Sequence, residues 1–483
     1  MFEKIKDKLL FILMFFPLLI IDRNSFSVDT YWMIRYGQMI RKDGFFDTLP
    51  MSVHNFHFIP QQWLSDVIIS FFYDYLGYPG TLLYACITCA ICIFIFYKIM
   101  HLITENGINA KIFTFLFSLL FTYMYSETRP QMISFICILS IIYILEKYVR
   151  TQNFKYLLFM PFIFILQINS HATCYPFLIM ICCAFIFNFE NFRTKNLIVD
   201  TYNEKNIIIV LFVSIISLLL NPYGIEMVTY ILRCSSPEIK DYLSFEMQTL
   251  TIKNYGLIVL IATFILFILF YKFKEKFNLR YVFLLFGGFV LASLNVRSMI
   301  YFIIGFIIFV ADYSKNILDT KKFLEKVFGA YEIMIPIFMV AALLIRIINI
   351  GRYELNDFAY RGSEYSTNGI VESIKEDAAD KKNIRVYNYP FIGGYLQFNG
   401  LDVYMNSGLE PFLKKQNKEK DVINEYLLMQ FGRKDPKEFI DEYKFDYLIL
   451  KNGDYLENYA EKNLKFIFTN NDFSVYKVNL KKQ

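Results

Sequence analysis

Residues 81–100 read Thr-Leu-Leu-Tyr-Ala-Cys-Ile-Thr-Cys-Ala-Ile-Cys-Ile-Phe-Ile-Phe-Tyr-Lys-Ile-Met. One charge, Lys98, falls near the end of the run. A helix of a soluble protein needs a polar stripe to face water, and this stretch has none. Twenty residues at 1.5 Å each reach about 30 Å, the thickness of a bilayer's hydrocarbon core. The stretch therefore reads as a transmembrane helix. Its three cysteines, Cys86, Cys89 and Cys92, have no histidine or acid beside them. They read as helix- or lipid-facing packing and not as a metal site.

Similar runs recur on both sides. The predicted spans are 5–21, 81–100, 111–126, 131–148, 156–168, 172–188, 207–221, 256–272, 280–295, 297–312 and 329–349. Apolar residues make up 56% of the chain and charged residues 19%, which fits a polytopic membrane protein. The basic start, Met1 to Lys8, leads straight into apolar residues with no small-residue cleavage site. It reads as an uncleaved first span. The tail differs: Arg352 to Gln483 carries 41 of the 93 charged residues. The chain thus divides into a membrane part, 1–351, and a polar part, 352–483. The net charge of +5 does not point to nucleic acid, because the basic excess sits in short loops between spans.

The positive-inside rule sets the orientation. With the N-terminus cytoplasmic, the inner segments hold 19 Lys and Arg, and the outer segments before the tail hold 9. Eleven spans then place the tail outside the cell. Residues 63–76 would reverse every later loop if they crossed. They read instead as an interfacial helix whose Trp63, Tyr73 and Tyr75 suit the headgroup level.

Charged and polar residues at span ends collect on the outer side: Asp22, Asp29, Glu127, Arg129, His171, Asn221, Asn295 and Arg297. Ionisable groups at membrane depth are costly and mark function. The first outer loop, 22–80, is long for a connection. Residues 28–40 alternate at helical spacing, with Ser27 or Asp29 placed to cap the helix. Asp29 is thus either a cap or a reactive acid. Glu127 and Arg129 are either site residues or a structural ion pair. His54 and His57 with Asp47 make a weak metal pattern. The outer loop 222–255, with Arg233, either covers a site or lies on the surface as an amphipathic helix.

Asp29-x-x-Trp32-x-x-x-x-Gly37-x-x-Ile40, then Gly44 and Asp47, then Trp63-Leu64-x-Asp66 and Gly77-x-x-Gly80, resembles the first outer loop of GT-C membrane glycosyltransferases. Arg129-Pro130-Gln131, Asn169-Ser170-His171, Asn221-Pro222-Tyr223-Gly224, Asn295-Val296-Arg297 and Gly393-Gly394-Tyr395-Leu396 extend the resemblance over most of the chain. It implies a polyprenyl-phosphate sugar donor, a cell-surface glycan or protein acceptor, and no cofactor. In that family an acid of the first loop removes the acceptor's proton. Asp29 matches that acid, with Asp47 as the second candidate. Arg129, His171 and Arg297 are the residues the resemblance offers to the phosphate, and Arg233 to a substrate. This chain lacks the adjacent acids found in many members. The alternative is a non-catalytic protein of the same fold that recruits or presents cell-surface polymer. A transporter fits less well, because no internal repeat is visible and the charges lie at span ends.

In the tail, 384–389, 402–406, 446–450 and 473–478 read as strands, and 366–378, 418–431, 436–443 and 453–461 as helices. The order predicts a small α/β domain. Gly393-Gly394 reads as a turn.

Overall fold

The computed structural model describes residues 2–21, 26–234, 249–251, 256–272, 275–315, 366–379 and 381–478. Its first part holds helices α1 (Phe2–Leu13), α2 (Val28–Asp43), α3 (Trp63–Leu76), α4 (Tyr78–Thr104), α5 (Gly107–Tyr125), α6 (Gln131–Thr151) and α7 (Met160–Ser170). These are followed by α8 (Tyr175–Ile186), α9 (Glu204–Ile216), α10 (Ile225–Cys234), α11 (Gly256–Lys272), α12 (Leu279–Leu294) and α13 (Met299–Ser314). Every predicted span falls on helix except 329–349, which lies outside the described residues. Among the described residues, α4, α5, α6 and Val296–Ser314 are long and apolar enough to cross a bilayer. Shorter apolar helices fill the rest of the bundle. Leu257, Leu260, Phe264 and Phe267 of α11 are exposed, as lipid-facing residues would be. Cys89 and Cys92 are buried in the core.

Local chemistry sets the helix ends. Asn106 caps α5, its Oδ1 accepting from Ile108 N at 2.9 Å and Asn109 N at 3.3 Å. Gly77, at φ +63°, turns the chain from α3 into α4. α2 and α3 meet at Gly37, where an added Cβ would lie 2.0 Å from the Asp66 carbonyl oxygen. The 14 residues of α3 reach about 21 Å, short of a bilayer core. Its first turn is tied to the end of α7: Trp63 Nε1 donates to Asn169 Oδ1 at 2.9 Å and Ser65 Oγ to the Ser170 carbonyl at 2.7 Å.

The opposite end of the bundle holds an ionic cluster. There the sequence suggests only dispersed lysines. Buried Arg280 lies 2.9 Å from Glu146 Oε1 and also pairs with Asp200, and Arg150 lies 3.5 Å from Glu146 Oε2. Strands β1 (Leu197–Ile198) and β2 (Phe277–Asn278) pair beside it in parallel. The partners are too far apart in sequence for any local pattern to join them.

The tail is the expected α/β unit. Its sheet has the order β4-β3-β5-β7-β6, with β3 at Arg385–Asn388, β4 at Asp402–Val403, β5 at Tyr447–Lys451, β6 at Lys465–Thr469 and β7 at Phe473–Lys477. β4, β3 and β5 run parallel, and β7 is antiparallel to both β5 and β6. Strand β6 falls on no predicted strand. The predicted turn at Gly393-Gly394 is a correction: both glycines lie inside the helix Pro390–Phe398. Glycine is poor in a helix interior, but here it permits close approach. A Cβ on Gly393 would meet Met405 O at 2.2 Å, and one on Gly394 would meet Val28 O at 2.9 Å.

The first loop and the tail interlock. Val53 N donates to Val403 O at 3.0 Å and Val403 N to Met51 O at 3.1 Å, so the loop covers the β4 edge of the sheet. Arg385 Nη2 donates to Val53 O at 3.0 Å. Gln397 Nε2 reaches the carbonyls of Pro50 at 3.2 Å and Met51 at 3.1 Å.

Candidate active site

Ser27 caps α2, and its backbone N–H donates to Thr30 Oγ1 at 3.1 Å. Asp29, two residues on, is therefore not the cap. Its carboxylate faces the connection between α5 and α6, where Oδ2 lies 3.4 Å from Arg129 Nη2. The first turn of a helix also favours an acid. Arg129 Nε lies 2.9 Å from Glu127 Oε2 and 3.1 Å from Ser27 Oγ. Thr30 Oγ1 donates to the Thr128 carbonyl at 3.2 Å and fixes α2 against this connection.

Arg297 arrives from the turn between α12 and α13. Asn295 Oδ1 accepts from Arg297 N at 2.8 Å, which shapes that turn. Arg297 Nη2 donates to Gln131 Oε1 at 2.7 Å, two residues beyond Arg129. His171, between α7 and α8, is buried. Its Nδ1 lies 3.1 Å from Ser134 Oγ and 3.3 Å from Cys174 Sγ, and its ring is within electrostatic reach of Arg297. Residues from four separate connections thus meet at one end of the bundle.

The tail completes the cluster with residues that the sequence reading did not pick out. Ser407 Oγ donates to Asp29 Oδ1 at 2.6 Å, and Trp32 Nε1 reaches the same oxygen at 3.3 Å. Burial raises the Glu410 carboxyl above its usual range; the positive charge of Arg297 opposes the shift, and the negative charge of Asp29 adds to it. Asn406 anchors this loop: its Nδ2 donates to Gln397 Oε1 at 2.7 Å, and its Oδ1 accepts from Gly408 N at 3.0 Å. The loop leaves the carboxyl end of β4, the edge strand beside β3. That edge of a parallel sheet is where ligands collect.

Other candidates lie elsewhere. Asp47 sits exposed in a turn and accepts from Thr48 Oγ1 at 3.2 Å. Arg233, on α10, donates to Gln416 Oε1 at 3.3 Å, a bridge to the tail. His54 is buried and its Nε2 donates to Tyr404 O at 2.9 Å, whereas exposed His57 lies 3.5 Å from Glu226. Among the described residues no three His, Cys, Asp or Glu cluster at metal-ligand distance. Tyr242, Phe245 and Glu246 of the 222–255 loop lie outside the described residues.

No family model and no curated protein matches the chain. Among solved structures it is similar to ArnT from Cupriavidus metallidurans in the apo state, with a TM-score of 0.53 and 11% identity over 98% of this chain and 97% of that one. At that identity the likeness is one of fold alone, and it runs the length of both chains: this protein shares the fold of that ArnT.

Proposed function

We propose that the chain is a membrane glycosyltransferase. It moves a sugar from a polyprenyl-phosphate donor to a cell-surface glycan or protein at the outer leaflet. The reading rests on one observation above others: the Asp29 carboxylate lies 3.4 Å from Arg129 at a span end, and Arg297 approaches through Gln131. Asp29 takes the proton of the acceptor hydroxyl as its oxygen attacks the anomeric carbon. The bond from that carbon to phosphate oxygen breaks, and the phosphate leaves with the electron pair. Arg129 and Arg297 stabilise the charge on it. His171 supports the Arg297 side. Attack opposite the leaving group inverts the anomeric centre. The chain is multi-pass in the cell membrane, with a cytoplasmic N-terminus and the tail, 352–483, as an extracytoplasmic domain.

A second reading has its own support. Ser407 and Trp32 both donate to Asp29 Oδ1, and Arg129 pairs with Oδ2. A carboxylate so occupied suits a protein of this fold that only recruits polymer components. Purified protein given radiolabelled polyprenyl-phosphate sugar and cell-envelope glycan separates the two. Asp29→Asn keeps the shape and is expected to lower transfer by about 10²–10⁴-fold. Full transfer by Asp29→Asn removes Asp29 as the base.

A further inference from the structure

We propose that a groove at the end of the bundle opposite Asp29 binds an anionic phospholipid of the membrane. The groove lies between the second half of α6 and the segment that returns from it, the 3₁₀ helix Phe154–Phe159 followed by α7. Its volume is about 470 Å³, within the roughly 300–1,000 Å³ of small-ligand sites. Ser140, Tyr143, Tyr156, Phe159, Phe162 and Leu166 contribute to its wall. Phe159 and Phe162 are largely exposed, so the groove opens sideways toward lipid. The site makes no use of the reaction proposed above.

The turn after α6 sets the geometry. Gln152 ends the helix at φ +54°, and Asn153 Oδ1 accepts from Lys155 N at 3.1 Å. That cap starts the return segment with Lys155 and Tyr156 beside the end of α6. On α6 itself, Ser140, Tyr143, Ile144 and Lys147 recur at three- and four-residue spacing and share one face. From Ser140 to Lys147 that face rises about 10 Å. Ser140, the smallest residue of the wall, leaves width at the deep end. From there outward the chemistry changes in a fixed order: apolar at Leu166 and Phe162, hydroxyl at Tyr143 and Tyr156, cationic at Lys147 and Lys155. A phospholipid carries acyl chain, ester and phosphate in the same order.

The polar groups have partners to gain. Among the described residues, the Tyr143 and Tyr156 hydroxyls make no hydrogen bond, and Lys147 and Lys155 pair with no carboxylate. The two hydroxyls are within electrostatic reach of each other. A hydroxyl at membrane depth without a partner is costly, and lipid ester oxygens accept hydrogen bonds. The acids of this end are turned elsewhere, Glu146 to Arg280 at 2.9 Å and Glu105 to Arg150 at 3.1 Å. The mouth of the groove is therefore positive, and basic pockets between membrane helices hold anionic headgroups. A zwitterionic lipid fills the groove equally well but, carrying its own cation, gains less from the lysines.

Full-length protein in phosphatidylcholine nanodiscs tests this. Phe162→Trp places a fluorescent reporter in the groove, and the signal of Trp32 and Trp63, the two native tryptophans, is subtracted with the parent protein. Small fractions of dibrominated phosphatidylglycerol or dibrominated phosphatidylcholine are then introduced. The quenching curves are expected to show a preference of about thirtyfold for phosphatidylglycerol, about fivefold for each lysine. Lys147→Gln/Lys155→Gln brings the two lipids close to parity. Lys8→Gln/Lys98→Gln, the same change of charge elsewhere at this end of the bundle, keeps the preference. The lipid comparison needs no change at either groove lysine, so it decides the matter even if the double variant does not fold. Equal quenching by the two lipids overturns the proposal, as does an unchanged preference in folded Lys147→Gln/Lys155→Gln or its loss in Lys8→Gln/Lys98→Gln. Quenching by neither lipid, the result if a second copy of the chain covers the groove, overturns it as well.

Discussion

His54 ties the first loop to the tail, and its burial makes that contact sensitive to acid. The ring is 5% exposed, stacks on Phe56 with centroids 4.7 Å apart, and donates to Tyr404 O at 2.9 Å. Glu425, Lys420 and Arg385 act on it from the tail. Burial lowers its pKa from 6.5 to about 4, so the folded protein holds it neutral. In the unfolded chain the same ring protonates near 6.5. The unfolded state thus binds more protons as pH falls, and stability is lost below pH 6.5. By pH 4 the loss is about 3 kcal/mol, roughly a hundredfold in the opening equilibrium. Hydrogen exchange measures this at Val53 and Val403, whose amides pair across the junction. After correction for intrinsic rates, their protection is expected to fall about a hundredfold between pH 7 and pH 4. His54→Gln removes that part of the pH dependence. An opening constant that follows pH identically in both proteins would refute the reasoning.

Other outcomes follow from packing and charge. Gly37→Ala forces a methyl toward the Asp66 carbonyl and is expected to cost about 1–3 kcal/mol in detergent unfolding; an unchanged melt would mean that α2 and α3 separate freely. Gly393→Ala crowds Met405 O and is expected to raise protease sensitivity of the 404–410 loop, where equal cleavage rates would count against a tight docking. Glu146→Gln leaves Arg280 short of a buried partner and is expected to lower stability by about 3–5 kcal/mol, with a shift under about 1 kcal/mol showing that Asp200 suffices.

The spans were legible because a bilayer demands uninterrupted apolar helix, a signal carried by single stretches. The pairing of Asp29 with Arg129 was legible as a common depth at span ends. The sequence could not separate cap from reactive acid at Asp29, since both fit the first turn; in the folded protein Ser27 is the cap. Ser407 and Glu410 were missed because the tail reads as a separate unit, with no local mark showing where it docks. The available signal was a polar loop directly after a strand of a parallel sheet. Gly393-Gly394 misled because glycine marks turns more often than close helix contacts. Arg280 and Glu146, 134 residues apart, meet only through the tertiary fold.

The charge balance of the cluster points to how a phosphate can be admitted. Arg129 and Arg297 oppose Asp29, Glu127 and Glu410, so the fully ionised set carries one net negative charge. A phosphodiester donor adds another. Burial raises the Glu410 carboxyl, with Arg297 opposing and Asp29 reinforcing the shift. Its protonation removes one negative charge near Arg297 and so lowers the electrostatic cost of admitting the phosphate. Donor binding should then take up a proton and tighten as pH falls through the raised Glu410 range. A polyprenyl-phosphate sugar is the right probe, because its diester stays singly charged throughout. Glu410→Gln mimics the neutral acid. It is expected to bind that donor about tenfold more tightly than the parent at pH 8, a repulsion of about 1.4 kcal/mol removed, with a flatter pH profile. Equal affinities at pH 8 and parallel profiles would show that the phosphate lies beyond the reach of Glu410, and that Arg129 alone faces it.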